Sequence, residues 1–319
     1  MKKITLGLSI LAVSAIFVTS CNKKVTEAPV ADMELQSSVD ASFANTIVTD
    51  IDMICGFLGE NTYPKFVAPA PGNSGSISII NNTITPKSAS ITFNNTKCID
   101  GKTRTGSIVM TYSFTDVNSS YYRDYGFIGK ITLNNYVVDG WSVRDSTVFI
   151  VKNEATSATP NPATTKLKWS LDGNFNIKNI ADPTKKITWV GKLNKVLSNT
   201  AQLAPNNLTA ITWSLGVVQY DGAFSGFTSG NTPYTYTVGV DNPLIRNYTC
   251  SPDKVAGIVT TPSVAIVSSE FHPFISGVAS FTTSAKEPRA IDYGTEGSPC
   301  DNSGTVTIKG ISYKIDFMK

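Results

Sequence analysis

The chain has 319 residues, of which 16% are charged, and a formal net charge of +3 at pH 7. Residues 1–20 contain two lysines and no acid, so the remaining 299 residues carry a formal charge of +1. Such a small basic excess does not support nucleic-acid binding, for which a strong excess is typical. The length suffices for one large domain or two smaller ones.

The first predicted element is a lipoprotein signal peptide over residues 1–20. Two lysines precede an apolar stretch of 13 residues, 6–18, which is too short to span a bilayer as a helix. The following Val-Thr-Ser-Cys, residues 18–21, resembles the lipobox read by lipoprotein signal peptidase. This predicts lipidation of Cys21, with an ordinary signal peptide and a chance cysteine as the alternative.

A lipid on Cys21 would hold the protein to a membrane without a transmembrane helix. The predicted location is therefore the cell envelope, at the outer membrane, facing the periplasm or the cell surface. Residues 21–36 are of mixed, partly polar composition with one proline and are predicted to form a flexible tether. Residues 37–319 are predicted to form a single elongated β-rich domain.

The next element is an amphipathic helix predicted over residues 37–58. Apolar residues recur there every three or four positions, which indicates one buried stripe. Asp40, Asp50 and Asp52 lie off that stripe.

After the helix, a period of two dominates and predicts antiparallel strands. Asp139-Gly140 is a strong hairpin signal, and further turns are predicted at Asp172-Gly173, Asp182-Pro183 and Asp221-Gly222. Three similar segments around Trp169, Trp189 and Trp213 each predict one strand of a meander with a core tryptophan. The predicted fold is mainly β, an antiparallel meander that forms a sandwich or a strongly curved open sheet, with the helix packed against it.

Four further cysteines follow Cys21, namely Cys55, Cys98, Cys250 and Cys300. Because the export signal implies an oxidising compartment, these four cysteines predict two disulfides. A weak repeat relates residues 75–112 to 277–308, because Gly75, Pro86 and Cys98 recur 202 residues later as Gly277, Pro288 and Cys300. If the copies are equivalent, Cys55–Cys98 and Cys250–Cys300 are the natural bridges. Free buried thiols and chance similarity of Ser/Thr-rich strands are the alternatives.

Several stretches together resemble a known group of proteins. They are the Ser20-Cys21 junction, the acidic helix, the Cys-x-Asp-Gly-Lys-x-Arg-x-Gly segment of residues 98–106, and residues 289–294 followed by 300–302. In these features the chain resembles the uncharacterised lipoproteins of Bacteroidota bacteria. The resemblance implies an envelope location and a β-rich fold, and it implies no activity.

Residues that could carry catalysis are few. His272 is the only histidine, so a multi-histidine zinc site is close to excluded and a catalytic triad would depend on this one residue. Asp292, Glu296, Asp301 and Asn302 cluster around Cys300 as oxygen ligands that could bind Ca²⁺, but their spacing matches no EF-hand, and acidic turns beside strands are the alternative. Those residues, or Asp139 with Asp145, are candidates for a glycosidase carboxylate pair, although any chain of this size offers such pairs. No catalytic residue, metal or cofactor is predicted.

The remaining candidates are contact residues. Trp141 follows a predicted turn, and Tyr122 and Arg123 lie in a predicted loop, so the three are possible ligand contacts for a glycan or protein. Packing roles are the alternative for each. The sequence favours a lipid-anchored envelope lipoprotein with a non-catalytic binding or structural role, the partner being a glycan or an envelope protein. A carboxylate-based glycan hydrolase and a carrier of an apolar ligand are the alternatives.

Overall fold

The computed structural model describes residues 34–84, 87–115, 119–155, 166–198, 213, 216–248, 274–284, 286–295 and 303–316. Residues 33–319 form one compact unit. The predicted signal peptide, Cys21 and most of the predicted tether lie outside the described residues. The last tether residue, Gln36, is the first residue of the helix.

Helix α1 spans Gln36–Gly59 and confirms the predicted helix. Its start is held by the side chain of Glu34, which accepts hydrogen bonds from the backbone and hydroxyl of Ser37 at 2.8 and 2.7 Å. All its residues except Gln36, Val39 and Phe43 are buried. From Ala44 to Gly59 the helix is therefore buried around its whole circumference, whereas Val39 and Phe43 of the predicted apolar stripe are only partly buried.

A short 3₁₀ helix, Lys65–Val67, leads from α1 into the strands. The first seven strands are β1 Ser76–Asn82, β2 Lys87–Lys97, β3 Thr103–Ser113, β4 Ile128–Val138, β5 Trp141–Asn153, β6 Lys168–Asn179 and β7 Lys186–Leu197, and all of them except β1 are long. The other seven are mostly shorter: β8 Val217–Phe227, β9 Pro233–Val238, β10 Leu244–Asn247, β11 Val278–Thr283, β12 Arg289–Asp292, β13 Ser303–Ile308 and β14 Ile311–Asp316.

The strands form one open antiparallel sheet of 14 strands, which confirms the predicted fold class and selects the open sheet over the sandwich. Consecutive strands are neighbours from β1 to β9, and β11 then pairs with β9. The short strand β10 leaves this path and pairs with β8. Strands β1 and β14 end the path without pairing with each other.

The core lies between the sheet and α1. The helix contacts β2, β3, β7 and β9, and its side chains bond to residues of β8 and β10. Because strands so far apart in the sheet reach one helix, the sheet must curve around it. Trp169, Trp189 and Trp213 are all fully buried in this core, as their spacing predicted.

Turn predictions had mixed outcomes. Asp139 and Gly140 have φ values of 48° and 77° and join β4 to β5, which confirms the hairpin. The turn at Asp182-Pro183 between β6 and β7 is also confirmed. The turns at Asp172-Gly173 and Asp221-Gly222 were wrong, because both pairs lie inside strands that run through them. Trp213 is helical, so the strand predicted at this residue was wrong, and residues 199–212 and 214–215 around it lie outside the described residues.

The two copies of the predicted repeat begin strands at matching positions. Strands β1 and β2 start at Ser76 and Lys87, and β11 and β12 start 202 residues later, at Val278 and Arg289. In each case the third strand follows as the next neighbour in the sheet. Cys300 itself lies outside the described residues.

Within the described residues, one helix is long and apolar enough to cross a membrane, and it is α1. The window that passes this test is 94% buried inside the protein. Core helices pass the same test, so length and composition do not make α1 a membrane span.

Candidate functional site

A surface groove of about 760 Å³ lies on the outer face of the sheet, across β4, β5, β6 and β7. We call it the outer groove. Its polar lining consists of amides, hydroxyls and charged groups: Asn135, Ser142, Arg144, Asp145, Ser146, Asn176, Lys178, Asn179 and Lys186. Its apolar lining is Val137, Ile180 and Pro183. The alternate residues of these strands, such as Val143, Ile177 and Ile187, are buried on the core face.

The groove forms where regular pairing between β4 and β5 breaks down. The ladder joins Ile128–Ile131 to residues 149–152, and its register then shifts before pairing resumes at Val137 and Ser142. Strand β5 also has two register shifts against β6, between Asp145 and Ile150. Bulges of this kind turn side chains away from strict alternation, and residues 146–148 are accordingly all exposed.

A close backbone approach fixes one wall of the groove. Asn135 has a φ of 49°, and Gly106 on the neighbouring strand β3 has a φ of 83°. A Cβ atom on Gly106 would lie only 2.2 Å from the carbonyl oxygen of Asn135. Only glycine fits this position without displacing the backbone, and the bulge it permits presents Asn135 to the groove.

The cations of the groove lie on adjacent strands. Lys178 on β6 pairs directly with Lys186 on β7, and on its other side with Ser142 on β5. Arg144 lies two residues beyond Ser142, opposite Asn176. None of the three cations forms an ion pair with a described residue.

Amide groups make the remaining polar floor. The side-chain amide of Asn176 donates a hydrogen bond to the hydroxyl of Ser146 across the β5–β6 pair. The side-chain oxygen of Asn179 accepts a hydrogen bond from the backbone N–H of Asp182 at 2.9 Å, which holds the confirmed turn at the groove's end. Amides and hydroxyls of this kind both donate and accept hydrogen bonds, as the hydroxyls of a polar ligand require.

Two buried ionic clusters hold α1 inside the sheet, and the first is centred on Asp50. Its carboxylate lies 2.8 Å from Arg104, 3.2 Å from Arg246 and 3.5 Å from Lys102. Arg104 also bonds to both oxygens of Asp100, at 2.8 and 2.5 Å. Burial alone would raise the pKa of Asp50, but the three cations outweigh it and hold that pKa well below the usual range.

The second cluster is centred on Asp52. Its carboxylate accepts hydrogen bonds from Lys195 at 2.8 Å, Tyr122 at 2.7 Å and Tyr220 at 2.9 Å. Burial would lower the pKa of Lys195, but the adjacent Asp52 carboxylate raises it above its ordinary value. Burial and the same carboxylate raise the pKa of Tyr122 and Tyr220 well above normal. Asp52 and Lys195 therefore form a charged pair, and the phenols of Tyr122 and Tyr220 stay protonated and donate to it, an arrangement that suits a structural role.

The structure separates the three predicted contact residues. Tyr122 is 0% exposed and belongs to the Asp52 cluster, so it presents no surface to a ligand. Arg123 pairs with the buried Glu60 and lies over the ring of Tyr121. Trp141 is half-buried and packs against Phe43 of α1, with ring centroids 5.3 Å apart. None of the three lines the outer groove.

Of the two predicted disulfides, only Cys55–Cys98 lies within the described residues. Cys55 and Cys98 are both buried free thiols, so the bridge between them is not formed in the structure. Cys55 lies near Asp52 and Lys195, whereas Cys98 lies near Arg104 and Asp100, within the other ionic cluster. Burial raises the pKa of Cys98 to about 11. Cys250 and Cys300 lie outside the described residues.

The candidate carboxylates Asp139 and Asp145 do not share one site. Asp145 lines the outer groove, whereas Asp139 lines a separate small crevice beside α1. Asp139 is exposed at its hairpin, and its carboxylate accepts a hydrogen bond from the backbone N–H of Thr103 at 2.7 Å. Of the acidic set around Cys300, only Asp292 is described, and His272 lies outside the described part. Among the described residues, no group of three or more His, Cys, Asp and Glu side chains could hold a metal ion.

Compared with known proteins, the chain matches no family model, no curated protein and no solved structure.

The outer groove was not predicted from the sequence. Its residues come from four strands, and only the register of those strands places Lys178 beside Lys186 and Ser142. One usable signal was present: residues 144–148 (Arg-Asp-Ser-Thr-Val) break the alternation that surrounds them. Such a break within a strand indicates a bulge, and bulges are frequent beside binding sites.

Proposed function

We propose that the protein is a lipid-anchored envelope lipoprotein that binds a glycan in the outer groove without catalysing a reaction on it. The observation that carries the proposal is the lining of that groove. Three amide side chains, two hydroxyls and four charged groups face a volume of about 760 Å³, which suits an oligosaccharide better than an apolar molecule. The anchor on Cys21 is supported by the sequence of residues 1–21.

Two alternatives receive less support. Most glycosidases use two carboxyl groups that flank the scissile bond, and Asp145 is the one carboxylate among the described lining residues. An apolar carrier would use the tryptophan-bearing face of the sheet. That face is packed: the ring of Trp169 stacks on Tyr122, and the ring of Trp189 stacks on Phe224. Binding of an envelope protein remains the alternative for the same groove.

The groove is tested with the full-length chain, purified in detergent and applied to a glycan array. We expect saturable binding to a subset of glycans, which Asn176→Ala weakens at least tenfold because it removes an amide from the groove floor. The matched control is Asn194→Ala on β7, an exposed asparagine outside the groove that bonds to Asp221. Absence of glycan binding, or equal loss in both variants, would refute the proposal.

The anchor is tested separately. In cells supplied with labelled palmitate, we expect the wild-type chain to incorporate the label and to fractionate with membranes. Cys21→Ser should abolish both properties. An unlabelled wild-type chain would show that the protein is not a lipoprotein, and it would leave the groove proposal to its own test.

A further inference from the structure

The outer groove contains a pair of like charges that the sheet itself places together. Lys178 and Lys186 are directly opposite each other on antiparallel strands. Side chains in such a pair have Cβ atoms about 4.5–5.5 Å apart, and like charges there are destabilising. Both lysines are exposed and neither has an ion-pair partner among the described residues.

Arg144 extends this pair into a cluster. It lies opposite Asn176, which is two residues from Lys178 on β6, so its position is diagonal to that lysine. Diagonal positions are about 7–8 Å apart and within reach of long side chains. Asp145 is the one carboxylate of the described lining, so the groove carries three positive charges against one negative charge.

Neighbouring charges do not relieve this excess. Asp182, at the end of the groove, lies 4.0 Å from Lys185 and accepts hydrogen bonds from Thr184. The Asp182 carboxylate therefore already has partners within its own turn and does not neutralise the lysines of the groove. A formal charge of +3 over the whole chain also means that the excess is local and does not reflect a generally basic surface.

We propose that the outer groove selects an acidic glycan, one that carries carboxylate or sulfate groups, and that Lys178, Lys186 and Arg144 bind those groups. This inference rests on the glycan-binding function proposed above. The anion relieves the repulsion between the lysines, and the planar guanidinium of Arg144 matches the two oxygens of a carboxylate or sulfate. Asn176 and Ser142, in the same rows of the sheet, are placed to bond sugar hydroxyls.

The experiment compares sugars that differ only in charge, with the full-length chain in detergent. The probes are a galacturonate tetrasaccharide and its methyl ester, and a sulfated galactan tetrasaccharide and its desulfated form. Titration calorimetry at low and at physiological salt gives the affinities. We expect at least one acidic form to bind tenfold or more tightly than its neutral counterpart, and this preference to shrink as salt rises. The two pairs distinguish carboxylate from sulfate.

Variants connect the preference to the lysine pair. Lys178→Glu places opposite charges across β6 and β7, so we expect a higher melting temperature together with at least a tenfold loss of acidic-sugar binding. A purely structural lysine would not give both effects. Lys192→Ala, at an exposed lysine of β7 that lies opposite Asp172 outside the groove, is the control and should leave acidic-sugar binding unchanged.

Each other outcome overturns the inference in a recognisable way. Equal binding of acidic and neutral sugars would overturn the charge selection and leave the glycan-binding proposal standing. Absence of binding to any sugar on the array or in the titrations would overturn both. Equally tight binding of a short DNA duplex would show an unselective polyanion site. Acidic-sugar binding unchanged in Lys178→Glu would remove the assigned lysine.

Discussion

At the scale of single residues, Asp52 and Lys195 form the most deeply buried ion pair described, since both side chains are 0% exposed. Burying two charges costs several kcal/mol each, and their attraction compensates only when the remaining hydrogen bonds are also satisfied. Tyr122 and Tyr220 supply those bonds on the aspartate side. The pair therefore fixes where α1 lies relative to β7 more than it adds net stability.

This reasoning predicts unequal effects of single and double substitutions. Lys195→Met leaves the Asp52 carboxylate buried without a cation, and we expect a loss of about 3–5 kcal/mol in the free energy of unfolding. Asp52→Asn combined with Lys195→Met removes both charges and should be clearly more stable than the single variant. Chemical denaturation measures all three chains. A double variant as unstable as Lys195→Met would contradict the assignment.

Glu60 gives a second prediction at the residue scale, on pH. Burial raises its pKa from 4.5 to about 7, although Arg123 opposes the shift. The folded chain then binds a proton that the unfolded chain has released, so this contribution to stability is complete below pH 4.5 and is lost as pH rises to 7. We expect a decrease of about 3 kcal/mol across that window. Glu60→Gln should remove this part of the pH dependence, as measured by denaturation at several pH values; an unchanged slope would be evidence against it.

Single residues also show what the sequence could not reveal. The spacing of α1 placed Asp50 and Asp52 off the apolar stripe, which is typical of a solvent-facing side. Both are buried, because Arg104 and Arg246 reach Asp50, and Lys195 reaches Asp52, from strands far along the chain. Helical periodicity carries no information on such distant partners.

At the scale of elements, alternation predicted the strands well and turn residues predicted their ends less well. Asp139-Gly140 adopts the two positive φ values that a tight hairpin needs. Asp172-Gly173 has similar letters but lies within β6, where Leu171, Gly173 and Phe175 all face the core. The apolar residues Leu171 and Phe175, each two positions from Gly173, indicated a continuing strand more strongly than the Asp-Gly pair indicated a turn. The outer groove depends on register shifts, which arise from pairing between strands and leave only a weak trace in one strand's sequence.

Two glycines test how much the bulge beside the groove depends on backbone geometry. Gly140 and Gly106 both have positive φ, but only at Gly106 would a Cβ meet backbone atoms. We expect Gly140→Ala to cost about 1 kcal/mol, because alanine tolerates this φ at a moderate penalty. Gly106→Ala should cost roughly 3 kcal/mol or more, because the backbone of Asn135 must also move. Thermal or chemical denaturation compares the pair; equal losses would mean that β4 shifts freely.

At the scale of the whole molecule, the sheet alone would give weak cooperativity. Each strand pairs only with its neighbours along an open path, and molecules with nearest-neighbour contacts tend to unfold in parts. Helix α1 changes this arrangement, because it contacts β2, β3, β7 and β9 and bonds to residues of β8 and β10. Asp50 alone connects Arg104 on β3 with Arg246 on β10.

The consequence is that one substitution in α1 should weaken distant strands together. Asp50→Ala leaves Arg104, Arg246 and Lys102 with Asp100 as the nearby buried acid, and we expect the free energy of unfolding to fall by about 3–5 kcal/mol. Because β3 and β10 both depend on this carboxylate, native-state hydrogen exchange should show the same decrease in their protected amides. Asp145→Ala, on the outer face, is the control and should change both by less than about 0.5 kcal/mol. If β3 lost protection while β10 kept it, α1 would be a local packing element, and the sheet would hold its strands together without it.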